Sequence, residues 1–302
     1  MSGETPDVTP STTSDTTANA APDTTRARRG IRNLVVLRAG DASLHAGWIA
    51  QPDRDFDLFI SYFGKQPGMH QADADYYEHR PGPKWSCIGE LLADHPSLID
   101  RYDAFWFPDD DLAATTDTVN RMFALFRGFS LSLAQPALTR DSYHTWPIVL
   151  ERPDCVMRHV DFVEVMAPLF DRATLRACLK TFSMSRSGWG LDWIWPTMAG
   201  KGRTDSIAII DATPVRHTRP LGGDLYRNHP ELDPRQDEAR LLAEFDLVKH
   251  RWSGKFRVYS VIARRPPSLG DRWRMALNRL KATHRYKRAL RKGRVTQPIA
   301  PT

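Results

Sequence analysis

The 302-residue sequence contains few cysteines and no long hydrophobic run. Its three cysteines, Cys87, Cys155 and Cys178, lie far apart and form no CxxC or similar metal-binding spacing. They indicate neither a disulfide framework nor a zinc knuckle, and a reducing compartment is the simpler interpretation. No stretch approaches the roughly 18–20 consecutive apolar residues that a membrane-spanning helix needs. We therefore expect a cytoplasmic protein without transmembrane helices.

The first 29 residues lack both hydrophobic periodicity and the apolar segment of a secretory signal. They are rich in Thr, Ser, Pro, Ala and Asp, and such a segment buries too little apolar surface to offset the entropy lost on ordering. We predict a disordered arm over residues 1–29, one catalytic domain over residues 30–265 and a basic tail over residues 266–302.

The formal net charge of +6 is concentrated in this tail. Twelve Lys or Arg residues and one acid lie between Arg264 and Arg294, which leaves a net charge of −5 for the rest of the chain. Since the body is mildly acidic, we do not expect nucleic acid as a partner. Within residues 268–292, a single apolar stripe at helical spacing is formed by Leu269, Trp273, Ala276, Leu277 and Leu280.

A basic amphipathic helix of this kind suits peripheral binding to an anionic membrane surface through residues 266–292. Such binding would place the protein at the inner face of the membrane. The alternative is that the stripe packs on the protein's own domain while the charges stay in solvent.

Short apolar runs alternate with helical patterns along residues 30–265. The predicted strands cover residues 33–37, 56–62, 103–107, 131–134, 162–166, 206–210 and 256–263. The predicted helices cover residues 90–102, 117–127 with Thr116 as its cap, 171–182 with Asp171 as its cap, and 234–250. This alternation favours an α/β fold with a mostly parallel sheet flanked by helices.

Three aspartates, Asp109, Asp110 and Asp111, follow the apolar run at residues 105–107. In an extended chain Asp109 and Asp111 project to one side and Asp110 to the other, so two carboxylates can share one hard divalent cation. Ligands of open α/β sheets collect beyond the carboxyl ends of the strands, where these residues are predicted to lie. The alternative is a solvated acidic turn or a helix cap. The sequence departs from the Asp-x-Asp-x-Thr/Val motif of haloacid-dehalogenase-type phosphatases because its fifth position is Ala113.

Other segments carry candidate functional groups. In residues 188–192 two glycines flank Trp189, whose indole could stack on a sugar, and Asp192 starts a predicted helix. Trp193 and Trp195 are better explained as core residues. Asp211 ends a predicted strand and leads to Arg216, His217 and Arg219, which could contact a metal or phosphate from a loop.

Glu164 lies within the apolar run at residues 162–166 and needs either a partner, such as Arg158, or a function.

Six ordered segments resemble the domain-of-unknown-function family 707, which is similar to glycosyltransferases of the GT-A fold. They are Pro83-Lys84-Trp85, Asp109-Asp110-Asp111-Leu112, Gln135-Pro136-Ala137-Leu138, the segment from Phe162 to Pro168, the segment from Gly188 to Asp192, and the segment from His217 to Gly222. The resemblance covers about residues 31–223.

The resemblance implies a GT-A-like, Rossmann-like fold and a transferase that uses a nucleoside-diphosphate sugar. Mn²⁺ or Mg²⁺ would bind Asp109 and Asp111, with His217 as a candidate third ligand. Asp192 is the first candidate for the catalytic base, and Glu164 is the second. The groups expected near the donor are Arg38, Asp41, Lys84, Asp110, Trp189 and Arg219.

The expected acceptor is a glycan or a lipid-linked glycan. Two other function classes stay open at this point: a metal-dependent hydrolase that uses the same aspartates, and a nucleic-acid-binding protein that acts through the tail.

Overall fold

The computed structural model describes residues 30–200, 202–220, 233–247 and 256–264, together with the single positions Gly270 and Trp273. Over these residues, no helix has both the length and the apolar character needed to cross a bilayer. The predicted disordered arm and nearly all of the predicted basic helix lie outside the described residues. The Trp273 side chain is 73% exposed.

The described chain alternates strands and helices. The strands are β1 Asn33–Ala39, β2 Phe56–Tyr62, β3 Tyr76–His79, β4 Ala104–Trp106, β5 Leu112–Ala113, β6 Leu133–Leu138, β7 Cys155–Val160, β8 Leu169–Asp171, β9 Ile207–His217 and β10 Val258–Ala263. The helices are α1 Lys84–Asp94, α2 Pro96–Arg101, α3 Thr116–Gly128, α4 Arg172–Cys178, α5 Leu191–Ala199 and α6 Pro234–Glu244.

One sheet contains these strands in the order β10-β7-β9-β6-β8-β4-β1-β2-β3, and β5 pairs separately with β9. The pairs β4-β1, β1-β2, β2-β3 and β6-β9 are parallel. Strands β8 and β7 pair antiparallel with both of their neighbours, so along this path they alone oppose the common direction. The expected α/β fold with a mostly parallel sheet is confirmed in this sense.

The central strands of the sheet are buried on both faces, as a doubly covered sheet requires. Strand β1 shows this directly, because Leu34 and Val36 point into one core while Val35 and Leu37 point into the other. Helices α1, α2, α4, α5 and α6 contribute to the first core, and α3 contributes to the second. The strand ends are therefore fixed from both sides, and the loops that follow them carry the polar groups.

Several predicted boundaries are confirmed and others are wrong. Strand β2 has the predicted limits, and Asp171 caps α4 by accepting a hydrogen bond from the Thr174 amide at 2.6 Å. The cap of α3 is Thr115 and not Thr116. The predicted helix over residues 90–102 is instead two helices that meet at Pro96. Proline lacks an amide hydrogen and starts a new helix more readily than it continues one.

The predicted strand over residues 162–166 is absent, since this segment forms a loop between β7 and β8. Its apolar side chains Phe162, Val163 and Met166 are nevertheless buried. The hydrophobic run therefore reflects burial rather than strand pairing, which a short apolar run cannot distinguish. As a consequence, Glu164 belongs to a buried loop and not to the sheet.

The strand predicted at residues 206–210 continues as β9 to His217, so His217 lies on a strand and not on a loop. Within β9, Asp211 forms a bidentate ion pair with Arg158 of β7, with N–O distances of 2.8 and 2.9 Å. Arg158 also donates to the backbone oxygens of Ile148 and Leu150. Asp211 is thus committed to holding the sheet together, and Arg158 is not the partner of Glu164.

The buried Arg158–Asp211 pair generates a stability prediction. We expect Asp211→Ala to lower the free energy of unfolding by about 3–5 kcal/mol, because it leaves the Arg158 guanidinium buried without its carboxylate. Asp141→Ala, which removes the exposed partner of Arg216, is the matched control. It should change the free energy of unfolding by less than about 1 kcal/mol. Urea unfolding at pH 7 measures both, and equal losses in the two variants would contradict this interpretation.

Candidate active site

The first aspartate after β4, Asp109, is paired with Lys84 at the start of α1. The Lys84 ammonium donates to Asp109 Oδ1 at 2.6 Å and to the backbone oxygens of Val165 and Met166 at 3.1 and 3.2 Å. Burial lowers the pKa of Lys84, and the neighbouring aspartates, first Asp109, oppose this shift. Lys84 thus joins the end of β4 to the 162–166 loop, whereas the sequence analysis predicted a contact between Lys84 and the donor nucleotide.

The second aspartate, Asp110, faces the loop after β1. Its carboxylate accepts from the Gly40 amide and from the Arg219 guanidinium, each at 2.9 Å. A Cβ added at Gly40 would lie 2.9 Å from the ring of Phe63, so a larger residue there would displace that ring. Both Asp110 oxygens are therefore used to fix the two loops that follow β1 and β9.

The third aspartate, Asp111, is paired with His217. Asp111 Oδ2 lies 3.0 Å from His217 Nε2, and the two side chains are largely buried. The pairing of β5 with β9 places Leu112 opposite His217, which brings the two groups together. The other carboxylate oxygen, Asp111 Oδ1, is buried and has no hydrogen-bond partner among the described residues.

The protonation state of His217 follows from this geometry. Its Nδ1 lies 2.8 Å from the Tyr143 carbonyl oxygen, which can only accept, so Nδ1 carries a proton and Nε2 faces Asp111. Burial lowers the pKa of His217, but the hydrogen bond and charge of Asp111 outweigh it and raise the pKa to about 9. At pH 7 the ring is a cation that must lose its Nε2 proton before it can bind a metal.

Glu164 lies in the same electrostatic environment. Its amide donates to Gln135 Oε1 at 2.6 Å, and its Oε2 atom is buried without a hydrogen-bond partner in the described part of the chain. Burial raises the pKa of Glu164 to about 7; the positive charge of His217 opposes the shift and the negative charge of Asp109 adds to it. A carboxyl group with this pKa can exchange a proton near neutral pH.

The residues predicted near the donor on β1 have structural partners. Arg38 is buried and donates to Ser61 Oγ at 2.6 Å and to the Gly82 carbonyl at 2.9 Å. Asp41 accepts from the Tyr62 hydroxyl. Arg38 therefore supports the turn that precedes Lys84, and Asp41 supports the loop that follows Gly40.

The predicted Gly188–Asp192 segment forms the entry to α5. Gly190 has a φ of 93° and precedes the helix, and Asp192 lies in the first helical turn with 8% exposure. A carboxylate there is favoured by the helix dipole. The backbone of Trp189 is held by Ser185, whose hydroxyl donates to the Trp189 carbonyl at 2.9 Å. Trp195 is fully buried, which confirms it as a core residue.

The three predicted metal ligands are only partly assembled. Across the described ranges, the one set of three His, Cys, Asp or Glu side chains whose ligand atoms all lie within 4.8 Å of one another is His45, His70 and Asp73. Asp109, Asp111 and His217 do not meet this limit, and Lys84 competes for Asp109. The buried, unpartnered Asp111 Oδ1 nevertheless fits a hard cation, because such an oxygen is costly to leave unsatisfied.

Sequence reasoning missed two features, one within this site and one in the neighbouring loops. Lys84 and Gln135 belong to the segments that carried the family resemblance. The contact of Gln135 with Glu164 depends on a loop that was predicted as a strand, and the contact of Lys84 with Asp109 joins residues 25 positions apart. The His45, His70 and Asp73 cluster has no motif spacing, since its members come from two loops that meet only in the folded chain.

The fold is similar to that of solved glycosyltransferases of the GT-A fold. The structure of GalNAc-T7 with UDP, GalNAc and Mn²⁺ matches with a TM-score of 0.50 and 8% identity, over 70% of this chain and 48% of that chain. At this identity the likeness shows the fold alone, and it confirms the expected GT-A-like architecture.

Two other structures match with lower scores. A mycobacterial protein has a TM-score of 0.47 and 16% identity, over 78% of this chain and 84% of that one. The structure of S. aureus TarS 1-349 with UDP-GlcNAc has a TM-score of 0.43 and 10% identity, over 71% of both chains.

No sequence match was found among curated proteins. The family model described as protein of unknown function, DUF707, matches residues 150–257. This segment includes Glu164, Asp192 and His217. The resemblance to the domain-of-unknown-function family 707 is therefore confirmed over residues 150–257.

Proposed function

We propose that this chain transfers a sugar from a nucleoside-diphosphate donor to a glycan or lipid-linked acceptor, and that the acidic edge formed by Asp109, Asp111, Glu164 and His217 is its active site. The observation that carries the proposal is the pair of buried oxygens, Asp111 Oδ1 and Glu164 Oε2, that lack hydrogen-bond partners in the described chain. Unsatisfied buried carboxylate oxygens cost free energy, and a bound cation and a substrate hydroxyl are groups that would satisfy them.

The candidate metal-binding side chains suit Mn²⁺ or Mg²⁺. Asp109, Asp111 and His217 are the residues that would hold the ion, and two carboxylates favour a hard divalent cation. When bound, such an ion would stabilise the negative charge of the departing nucleoside diphosphate. GalNAc-T7, whose structure contains UDP and Mn²⁺, supports uridine diphosphate as the first nucleotide to test.

The chain's own residues prepare this edge. The hydrogen bond from Lys84 to Asp109 holds the Lys84 ammonium group beside the aspartates, where its positive charge can also balance the charge of a diphosphate. The hydrogen bonds that Asp110 accepts from Gly40 and Arg219 fix the loop after β1. The Arg219 side chain remains 42% exposed and can contact phosphate. We retain Arg38, Asp41 and Trp189 as positioning residues for the donor.

The acceptor hydroxyl must lose a proton as it attacks. Glu164 suits this role better than Asp192, because its pKa of about 7 matches the working range of a general base. Asp192 remains the second candidate. Exchanging each carboxyl for its amide separates the two assignments.

A thermal-shift experiment tests donor binding. We expect UDP with Mn²⁺ to raise the melting temperature of the full chain by several degrees, because a ligand at about 100 times its Kd stabilises the folded state by about 2.7 kcal/mol. Asp111→Asn should abolish the shift. Asp100→Asn, which changes an exposed carboxylate of α2, should retain it. Failure of uridine, guanosine, cytidine and thymidine diphosphates to shift the protein would contradict the proposal.

Glu164→Gln tests the base. We expect nucleotide release from the donor in the presence of acceptor to fall about 100-fold or more, while the UDP and Mn²⁺ thermal shift persists. The wild-type rate should increase as the pH rises through about 7, because the base must be ionised. If Asp192→Asn abolishes transfer and Glu164→Gln does not, Asp192 is the base. Release of free sugar without any acceptor would indicate a hydrolase.

The same variant has a stability signature in the metal-free protein. The raised pKa of Glu164 favours its protonated form in the folded state, so its contribution is intact below the ordinary pKa and is lost as the pH rises through about 7. We therefore expect Glu164→Gln to gain stability relative to wild type between pH 5 and pH 8, by up to ~3 kcal/mol. A pH-independent difference in urea unfolding would contradict the assigned burial.

Peripheral membrane binding is a further part of the proposal, and it is supported by the charge and apolar stripe of residues 266–292. We expect full-length protein to co-sediment with anionic vesicles at low salt and a chain lacking residues 266–302 to stay in the supernatant. Binding should weaken as salt increases. Equal sedimentation of both chains would contradict a role for the tail, and strong binding of DNA that survives Asp111→Asn would favour the nucleic-acid alternative.

A further inference from the structure

The loop after β1 and the loop after β2 bring two histidines and one aspartate together, and none of the three belongs to the proposed active site. His45 Nε2 lies 3.2 Å and His70 Nδ1 lies 4.0 Å from the same Asp73 oxygen, Oδ2. One ligand atom from each of the three residues lies within 4.8 Å of the other two. Ligand atoms about 2.0–2.1 Å from a tetrahedral Zn²⁺ lie roughly 3.3 Å apart, so a small contraction would close the set.

The hydrogen bond of His70 orients a lone pair towards this point. His70 Nε2 lies 3.1 Å from the Gly40 carbonyl oxygen, which can only accept, so Nε2 carries the hydrogen. In the neutral ring Nδ1 then bears a lone pair and faces the Asp73 carboxylate. Two electron-rich atoms that face each other repel, and a metal ion held between them would turn this repulsion into attraction.

The outward nitrogens have the partners that are typical of metal-bound histidines. His45 Nδ1 contacts Ser43 Oγ at 2.8 Å, and His70 Nε2 donates to Gly40. Such hydrogen bonds fix the tautomer and the ring orientation of a ligating imidazole. The His45 ring is 1% exposed while Asp73 is 42% exposed, so the set is closed on one side and open to solvent on the other.

From these contacts we propose that His45, His70 and Asp73 bind a divalent cation of the zinc type. Two imidazoles and one carboxylate favour Zn²⁺ over the Mn²⁺ or Mg²⁺ suited to an aspartate pair. The fourth position would be open to water. The assignment of this site does not rest on the proposed transfer reaction.

A cation bound here would be linked through the backbone to the acidic edge that we propose as the active site. It would tie the 43–47 segment to the 70–73 segment, and His70 holds the Gly40 carbonyl. Gly40 in turn donates to Asp110. The role we assign to the ion is therefore structural: it stiffens the loop that fixes the middle aspartate.

Zinc titration of the full chain, made without a polyhistidine tag and stripped with a chelator, tests the proposal. We expect one equivalent of Zn²⁺ to bind and to raise the melting temperature. His70→Asn and Asp73→Asn should each weaken binding by about tenfold or more. Asparagine is chosen at position 70 because His70 has a φ of 66°, a conformation that asparagine tolerates.

Two variants serve as controls. His79→Gln changes an exposed histidine that contacts Gly64 outside the cluster, and Asp111→Asn changes the proposed catalytic edge. Both should bind Zn²⁺ like wild type, and bound Co²⁺ should show the strong visible absorption of a tetrahedral site. No Zn²⁺ binding by wild type, or equal binding by wild type and His70→Asn, would overturn the proposal. Loss of binding in Asp111→Asn alone would also overturn it, and would place the ion on the catalytic edge.

Discussion

The proposed chemistry of this protein depends on how the charges of the carboxylates that follow β4 are compensated. Asp111 is paired with His217 through one oxygen and leaves the other oxygen without a partner in the described chain, and Glu164 leaves a second such oxygen nearby. A fold selected only for stability would pair these groups or replace them with apolar side chains. Their presence at a strand end gives the site its electrostatic character, namely negative charge that is held in place and only partly neutralised.

The fold brings these groups to one edge by strand direction and loop length. β4 delivers the three aspartates, and the β5-β9 pairing delivers His217. The loop between β7 and β8 delivers Glu164, and Lys84 links that loop to Asp109. Asp110 accepts hydrogen bonds from Gly40 and Arg219, and these fix the loops after β1 and β9 against the same strand end. Each aspartate thus has a different partner, and only Asp110 is fully committed to structure.

The sequence was sufficient to predict the elements with strong local signals. The apolar run at residues 56–62 and the Asp171 cap are local features, and both were predicted correctly. The acidic strand end was also predictable, because it needs only an apolar run followed by carboxylates. The Glu164 loop was not, because burial and strand pairing produce the same short apolar pattern. The pairing of Lys84 with Asp109 joins residues 25 positions apart, and nothing in their spacing indicates it.

The most direct test of the central claim is a crystal structure of the full chain with UDP and Mn²⁺, with anomalous data collected at the manganese edge. The result that we expect is a single manganese peak in contact with the Asp111 carboxylate and the UDP diphosphate, and Lys84 or His217 rearranged to admit the ion. Manganese and nucleotide bound elsewhere, with the Asp111–His217 and Asp109–Lys84 pairs intact, would contradict the assignment of this edge as the active site.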